Sequence, residues 1–333
     1  MSAITTTLAS STRHLRPFDI RRDLDPVADL VETCFAETLD EDGKRYVRQM
    51  HSAARNPGYL RWASAVADHA SIPLSGFVWE EEGRVVGNLS LIPFLNQGRQ
   101  YYLIANVAVD PNYRRQGIAR ALTEAAIGQV RNRGVGAVWL HVREENLPAY
   151  NLYTSLGFEK KACRTTWDFT PRNVVSVATN TRGQDEGISI GKVRPIHWPQ
   201  QRAWMQAVYP PELTWHIPLN LNTMRSDVWG ALYRFVSGMQ IKQWAAVRDQ
   251  QLMGVLVWRP QTSRADQLWV AAAPEQEDVA ILALLAHLIK VMPDRSRMVL
   301  DYPARRGSLA FSEAGFRIQQ TLIWMEVKLK ERG

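Results

Sequence analysis

Apolar positions at Ile118, Leu122, Ala125, Ala126 and Val130 recur at helical spacing. They predict a long helix over 118–133, ended by Gly134 and Gly136. A Val-, Ile- and Tyr-rich run over 101–109 precedes it and reads as a strand. Between them lie the turn Asp110-Pro111-Asn112 and the basic segment Arg114-Arg115-Gln116-Gly117. Upstream, the pattern predicts a strand over 14–18 and a helix from Asp25 with Pro26 in its first turn. A second helix over 42–54 is expected to stop before Asn56-Pro57-Gly58. A hairpin of 77–81 and 84–92 turns at Glu82-Gly83. Downstream come a strand over 137–142, a short helix over 148–156 capped by Gly157, and strands over 158–166 and 167–169. The stretch 40–73 carries no legible motif.

The second half repeats this order. Strands are expected over 188–194, 240–247, 252–259, 267–272, 298–301 and 318–328. Helices are expected over 198–208, 223–236, 278–291 and 306–314. The punctuation repeats too. Val107-Ala108-Val109-Asp110-Pro111 answers to Val270-Ala271-Ala272-Ala273-Pro274, and Leu156-Gly157-Phe158 to Ala314-Gly315-Phe316. Two copies of one α/β (α+β) fold are therefore expected, over 12–170 and 188–333. A polar linker over 171–187 joins them, and 1–11 reads as a disordered leader. The length of 333 residues also favours two domains.

Composition narrows the function. Two cysteines, Cys34 and Cys163, cannot build a disulfide framework or a four-ligand zinc site, and a reducing cytoplasm is the expected location. No apolar run of membrane-spanning length occurs. The net charge of +7 favours anionic partners, but the basic residues form short clusters that suit local anion contacts, not a nucleic-acid stripe. Five of the twelve tryptophans, Trp198, Trp204, Trp215, Trp229 and Trp244, crowd the early second half. Core packing is expected there, with an aromatic pocket as the alternative.

The strand–glycine turn–helix at 107–119 has the makings of an anion cradle. A helix start offers unpaired N–H groups, Gly117 allows close approach, and Arg114 and Arg115 add charge. The segment Val107-Ala-Val-Asp-Pro-Asn-Tyr-Arg-Arg-Gln-Gly-Ile-Ala119 is followed by Asn146-Leu-Pro-Ala-Tyr-Asn-Leu-Tyr-Thr-Ser-Leu-Gly-Phe158. In this order and separation the pair resembles the GCN5-related N-acetyltransferase (GNAT) superfamily.

That resemblance implies two fused GNAT folds, each a central mixed, mostly antiparallel sheet flanked by helices. It implies acetyl-CoA as co-substrate, with no metal. Backbone N–H groups of Gln116, Gly117, Ile118 and Ala119 would hold the pyrophosphate beside Arg114 and Arg115. Val107, Ala108 and Val109 would run along the pantetheine arm, with Asn146 on its other side. Tyr153 would protonate the departing thiolate. His141 stands where similar bacterial ribosomal-protein N-terminal acetyltransferases carry a glutamate base, and is the candidate base here. Glu80, Glu81 and Glu82 are expected to be solvated, and Asn106 to orient the substrate.

The expected acceptor is a primary amine on a small molecule or peptide. No nucleic-acid or membrane partner is expected, and the chain should be a monomer or weak homodimer. A non-catalytic acyl-CoA sensor and an enzyme for longer acyl chains are the alternatives. In the second copy, Glu275-Gln276-Glu277-Asp278 replaces the glycine loop, Phe311 stands opposite Tyr153 and Ala304 opposite Asn146. That copy is expected to be catalytically silent.

Overall fold

The computed structural model describes residues 14–37, 39, 41–66, 75–96, 98–171, 187–214, 219–227, 235, 240–261, 265–291 and 297–329. The expected leader, and nearly all of the expected linker, lie outside them. The chain divides into two compact units. One comprises residues up to Lys161 together with those from Trp324 onward; the other is Ala162–Ile323.

The first unit begins with β1 (Leu15–Pro17) and three helices, α1 (Ile20–Phe35), α2 (Glu41–Ala54) and α3 (Pro57–Val66). Strands β2 (Ser75–Glu81), β3 (Arg84–Asn96) and β4 (Arg99–Val109) follow, then α4 (Ile118–Asn132), β5 (Ala137–Arg143) and α5 (Leu147–Ser155). β1 to β4 pair antiparallel in order, and β4 pairs parallel with β5. A mixed, mostly antiparallel sheet results. Residues 324–328 of the last strand, β12 (Arg317–Lys328), flank β5, and Leu329 donates its N–H to the Gly136 carbonyl at 2.7 Å.

Helix α1 starts earlier than its sequence suggests and contains Pro26 in its interior. Asp19 caps it by accepting from the Arg21 N–H, and the buried Asp23 accepts the Asp19 N–H at 2.8 Å. Arg16 grips Asp23 through two nitrogens, at 2.6 and 2.8 Å, and donates to Glu80 at 2.7 Å. Burial of Val27, Ala28, Leu30 and Val31 carries the helix across the one amide that Pro26 removes. Helix α3 forms where the sequence predicts only a stop. Asn56 accepts from the Tyr59 N–H, and Pro57 occupies the first helical position, where its missing donor costs nothing.

The second unit takes residues 162–169 of β6 (Glu159–Phe169), which form one continuous strand. It continues through β7 (Ile188–Lys192), α6 (Trp198–Val208), the short α7 (Pro211–Thr214), β8 (Lys242–Arg248), β9 (Gln251–Arg259) and β10 (Asp266–Ala272). Helix α8 (Glu277–Val291), β11 (Met298–Pro303) and α9 (Ser308–Glu313) complete it. β7 to β10 pair antiparallel in order, β10 pairs parallel with β11, and β11 antiparallel with β6. The antiparallel run, the single parallel pair and the helix between its strands repeat the first unit. The expected helix over 223–236 is not formed at its start. Leu221–Met224 is one 3-10 turn capped by Asn220, and Arg225 is extended; residues 228–234 lie outside the description. Trp198, Trp204 and Trp244 pack against the second unit's core, whereas Trp215 and Trp229 fall outside the described residues.

Among the described residues no helix is long and apolar enough to cross a membrane, and no group of three or more His, Cys, Asp or Glu could hold a metal ion.

Candidate active site

The site begins where two parallel strands part. The β4–β5 ladder runs from Tyr102–Val138 to Ile104–Leu140 and ends there. Immediately beyond, β4 bulges: Asn106 and Val107 together face Leu89, between the pairs Asn88–Ala108 and Ser90–Ala105. Asn106 takes φ +51°, a left-handed conformation that asparagine tolerates better than most residues. Asn88, almost fully buried, donates its side-chain amide to the Asn106 carbonyl at 2.9 Å. Asn106 Nδ2 donates to Tyr46 Oη at 3.1 Å and Ser90 Oγ at 3.4 Å. Val107, Ala108 and Val109 follow the bulge, and His141 follows Leu140 on β5.

Beyond β4, Pro111–Tyr113 makes one 3-10 turn, capped by Asp110 on the Asn112 N–H. Arg114, Arg115, Gln116 and Gly117 are all exposed. Arg115 and Gly117 have φ +64° and +81°, so the loop winds left-handed into α4. Gly117 caps α4 without a side chain, and a Cβ placed there would meet nothing within 4 Å. The first helical bond runs from the Ala121 N–H to the Gly117 carbonyl, so Ile118 and Ala119 present N–H groups with no intrahelical acceptor. The helix dipole adds partial positive charge at the same point. Arg114 Nε is anchored on the Val109 carbonyl at 3.3 Å, which also accepts from Cys34 Sγ. Burial raises the Cys34 thiol's pKa.

Helix α5 stands on the other side. Asn146 caps it by accepting from the Ala149 N–H at 3.1 Å, which leaves its Nδ2 as a donor. Arg120, in the first turn of α4, donates to Ser155 Oγ of α5 at 2.6 Å and ties the two helices together. Tyr153 is 6% exposed, and its ring meets Phe158 edge-on at 5.9 Å. Burial pushes the phenol up to about 12, so it carries its proton throughout the neutral range. The His141 ring packs on Trp324 with centroids 4.0 Å apart. Glu80 is tied up in bonds to Arg16 and Arg22, which hold its carboxyl below the usual range, so it is a structural carboxylate.

The residues singled out from sequence thus fall on the ends of β4 and β5, the start of α4, and α5. Sequence reasoning missed Tyr46, on α2. Its only signal was a polar-tipped aromatic on an otherwise apolar helix face.

Corresponding positions in the second unit can be matched by geometry. Gly87 faces Val109, and Gly254 faces Ala272. Each admits the next helix: an added Cβ would lie 2.8 Å from Ile118 Cγ2 in one unit and 3.1 Å from Ala280 Cβ in the other. Val107 thus answers to Val270. The β10–β11 ladder also spans three pairs, Asp266–Met298 to Leu268–Leu300, but β10 pairs with β9 without a bulge. Tyr209 Oη accepts the Val270 N–H at 3.2 Å. Glu277, the first residue of α8, accepts from Tyr302 Oη at 2.7 Å and from Arg306 Nη2 at 2.6 Å. Helices α5 and α9 end alike: the Phe158 N–H donates to the Tyr153 carbonyl at 3.0 Å, and Phe316 to Phe311 at 2.9 Å. Phe311 therefore occupies the place of Tyr153. It is fully buried among Trp167, Tyr302 and Phe316.

Comparison with known proteins agrees with this geometry. Residues 29–158 match the model of the acetyltransferase (GNAT) family. Over 59 residues the chain is 51% identical to the [Ribosomal protein bS18]-alanine N-acetyltransferase of Escherichia coli, which is 18% of this chain and 40% of that protein. It is 49% identical over 53 residues to the mycothiol acetyltransferase of Thermobifida fusca, 16% of each chain. The chain thus spans well under two thirds of these curated relatives. The crystal structure of a GCN5-related N-acetyltransferase from Sphaerobacter thermophilus shares the fold, with a TM-score of 0.55 at 12% identity, over 94% of this chain and 95% of that one. The motifs and the parted strands agree with the family match: residues 29–158, in the first half of the chain, are similar to acetyltransferases of the GNAT family.

Proposed function

We propose that the first unit moves an acetyl group from acetyl-CoA to a primary amine of a small molecule or peptide. The observation that carries this reading is the pairing of two features across the Arg120–Ser155 bond: a helix start with open N–H groups, and a buried, protonated phenol. A protein that only senses acyl-CoA has no use for the phenol.

The pyrophosphate sits on the N–H groups of Gln116, Gly117, Ile118 and Ala119, beside Arg114 and Arg115. The open space at Gly117 fits that role, because a phosphate can approach the backbone there. The pantetheine arm lies along Val107, Ala108 and Val109, and Asn146 Nδ2 donates to it. The amine nitrogen then attacks the thioester carbonyl carbon. The C–S bond breaks, the electron pair passes to sulfur, and Tyr153 gives sulfur its proton. His141 takes the proton that the amine loses, directly or through water. Holding both reactants in line removes much of the entropic barrier, so no protein nucleophile is needed. A His141→Gln variant with an unchanged pH–rate profile would remove His141 from this scheme.

The second unit is catalytically silent in this reading. Glu277 places a carboxylate at its helix start, Tyr209 occupies the Val270 N–H, and Phe311 has no proton to give.

Calorimetric titration with acetyl-CoA tests the proposal. One site per chain is expected, followed by turnover in an amine screen. Two sites would contradict the silent second unit, and no binding would end the acetyltransferase reading.

A further inference from the structure

Tyr46 stands out among groups for which neither the fold nor the proposed chemistry accounts. It projects from α2 to the β4 bulge and receives a hydrogen bond from Asn106 Nδ2 at 3.1 Å. Because its oxygen is the acceptor there, its own O–H hydrogen remains to be given, and no described residue takes it. Burial pushes the phenol up to about 12, so that hydrogen stays in place at neutral pH. Asn106 spends both Nδ2 hydrogens on Tyr46 and Ser90, which leaves Oδ1 as an acceptor. One donor and one acceptor are therefore held side by side.

Their location matters as much as their chemistry. Asn106 is the extra residue of the bulge, directly past the last β4–β5 pair, on the side of the strands' parting that faces α2. A non-glycine left-handed residue costs roughly 1–3 kcal/mol and persists only where its surroundings over-determine it. Here Asn88, Ser90 and Tyr46 all do so. The second unit, with a matching ladder and no bulge, shows that the fold does not demand this arrangement.

We propose that Tyr46 and Asn106 position the acceptor, and that they select a primary amine whose neighbouring carbon carries a carbonyl oxygen. Asn106 Oδ1 accepts an amine N–H, and Tyr46 Oη donates to the carbonyl. Both are positioning residues. The inference rests on the acetyl-transfer reading above.

The test compares alaninamide with 3-methylbutan-2-amine, which has the same shape without the carbonyl or amide. Wild-type protein should acetylate alaninamide with the higher kcat/KM. Tyr46→Phe should raise the alaninamide KM about five- to tenfold, as expected for one lost hydrogen bond, and shrink the preference for alaninamide accordingly. The KM for acetyl-CoA and for 3-methylbutan-2-amine should stay unchanged while the thermal midpoint falls slightly, a split by substrate that a merely structural role for Tyr46 would not predict. Equal loss on both amines, or no loss on either, overturns the assignment, as does acetyl-CoA binding with no turnover of alaninamide. Absence of acetyl-CoA binding would instead sink the acetyl-transfer reading itself.

Discussion

The two units run the same course from a parallel strand pair into a helix start, yet they treat three backbone and side-chain positions in opposite ways. In the first, β4 bulges, the α4 start is bare, and a phenol stands in α5. In the second, β10 is regular, Glu277 occupies the helix start, and a phenylalanine fills the place of the phenol. Tyr209 even closes the Val270 N–H that answers to Val107. The contrast separates what the fold needs from what chemistry needs. Polar groups left open in one unit are satisfied from within in the other, and a satisfied donor has nothing to offer a ligand.

The sharpest test exchanges the roles of the two aromatic positions. Phe311→Ala should cost about 3–5 kcal/mol of stability, because the side chain is fully buried. Denaturant unfolding would measure this, and residual folded protein should keep its turnover number. Tyr153→Phe should do the reverse. It should lower kcat about 10²-fold with little change in acetyl-CoA affinity or stability, as loss of a general acid predicts. Single-turnover kinetics with unchanged kcat would take Tyr153 out of the chemistry.

Two helix-capping glycines at different places in the two units give a subtler pair. Gly117 and Gly307 both cap their helices with positive φ, at +81° and +60°. A Cβ at Gly117 meets open space, so Gly117→Val acts through backbone strain of roughly 1–3 kcal/mol. It should weaken acetyl-CoA binding in calorimetry. At Gly307 a Cβ would lie 2.8 Å from Phe311 Cε2, so Gly307→Ala should lower the thermal midpoint and leave binding alone. The smallest effect is expected from Tyr209→Phe, which leaves a buried N–H unpaired at a cost of about 1–3 kcal/mol. Its acetyl-CoA stoichiometry should remain one. A second site appearing in that variant would show that Tyr209 alone keeps the second unit shut.

Much of this architecture was legible in short-range patterns. The α4 periodicity, the Glu82-Gly83 hairpin, the glycine loop and the short helix before Gly157 are each decided by a few neighbouring residues, and they appeared where expected. What escaped was decided at long range. Pro26 sits mid-helix because Asp19, Asp23 and a buried face outweigh one lost amide bond. The bulge at Asn106 depends on Asn88 and Tyr46, which lie on other elements. The Val270–Tyr209 bond joins residues that no local pattern relates. Glu277 was visible as an acid at a helix start, but its bonds to Tyr302 and Arg306 were not.

The division of β12 also bears on biosynthesis. β5 carries His141, and its outer neighbour comes from residues 324–328 of the same chain. As the polypeptide leaves the ribosome, β5 emerges with an unpaired edge and must wait for nearly all of the second unit before that edge is covered. Pairings of such long sequence separation form slowly, and open edges invite wrong partners. The first unit is encoded first but finished last.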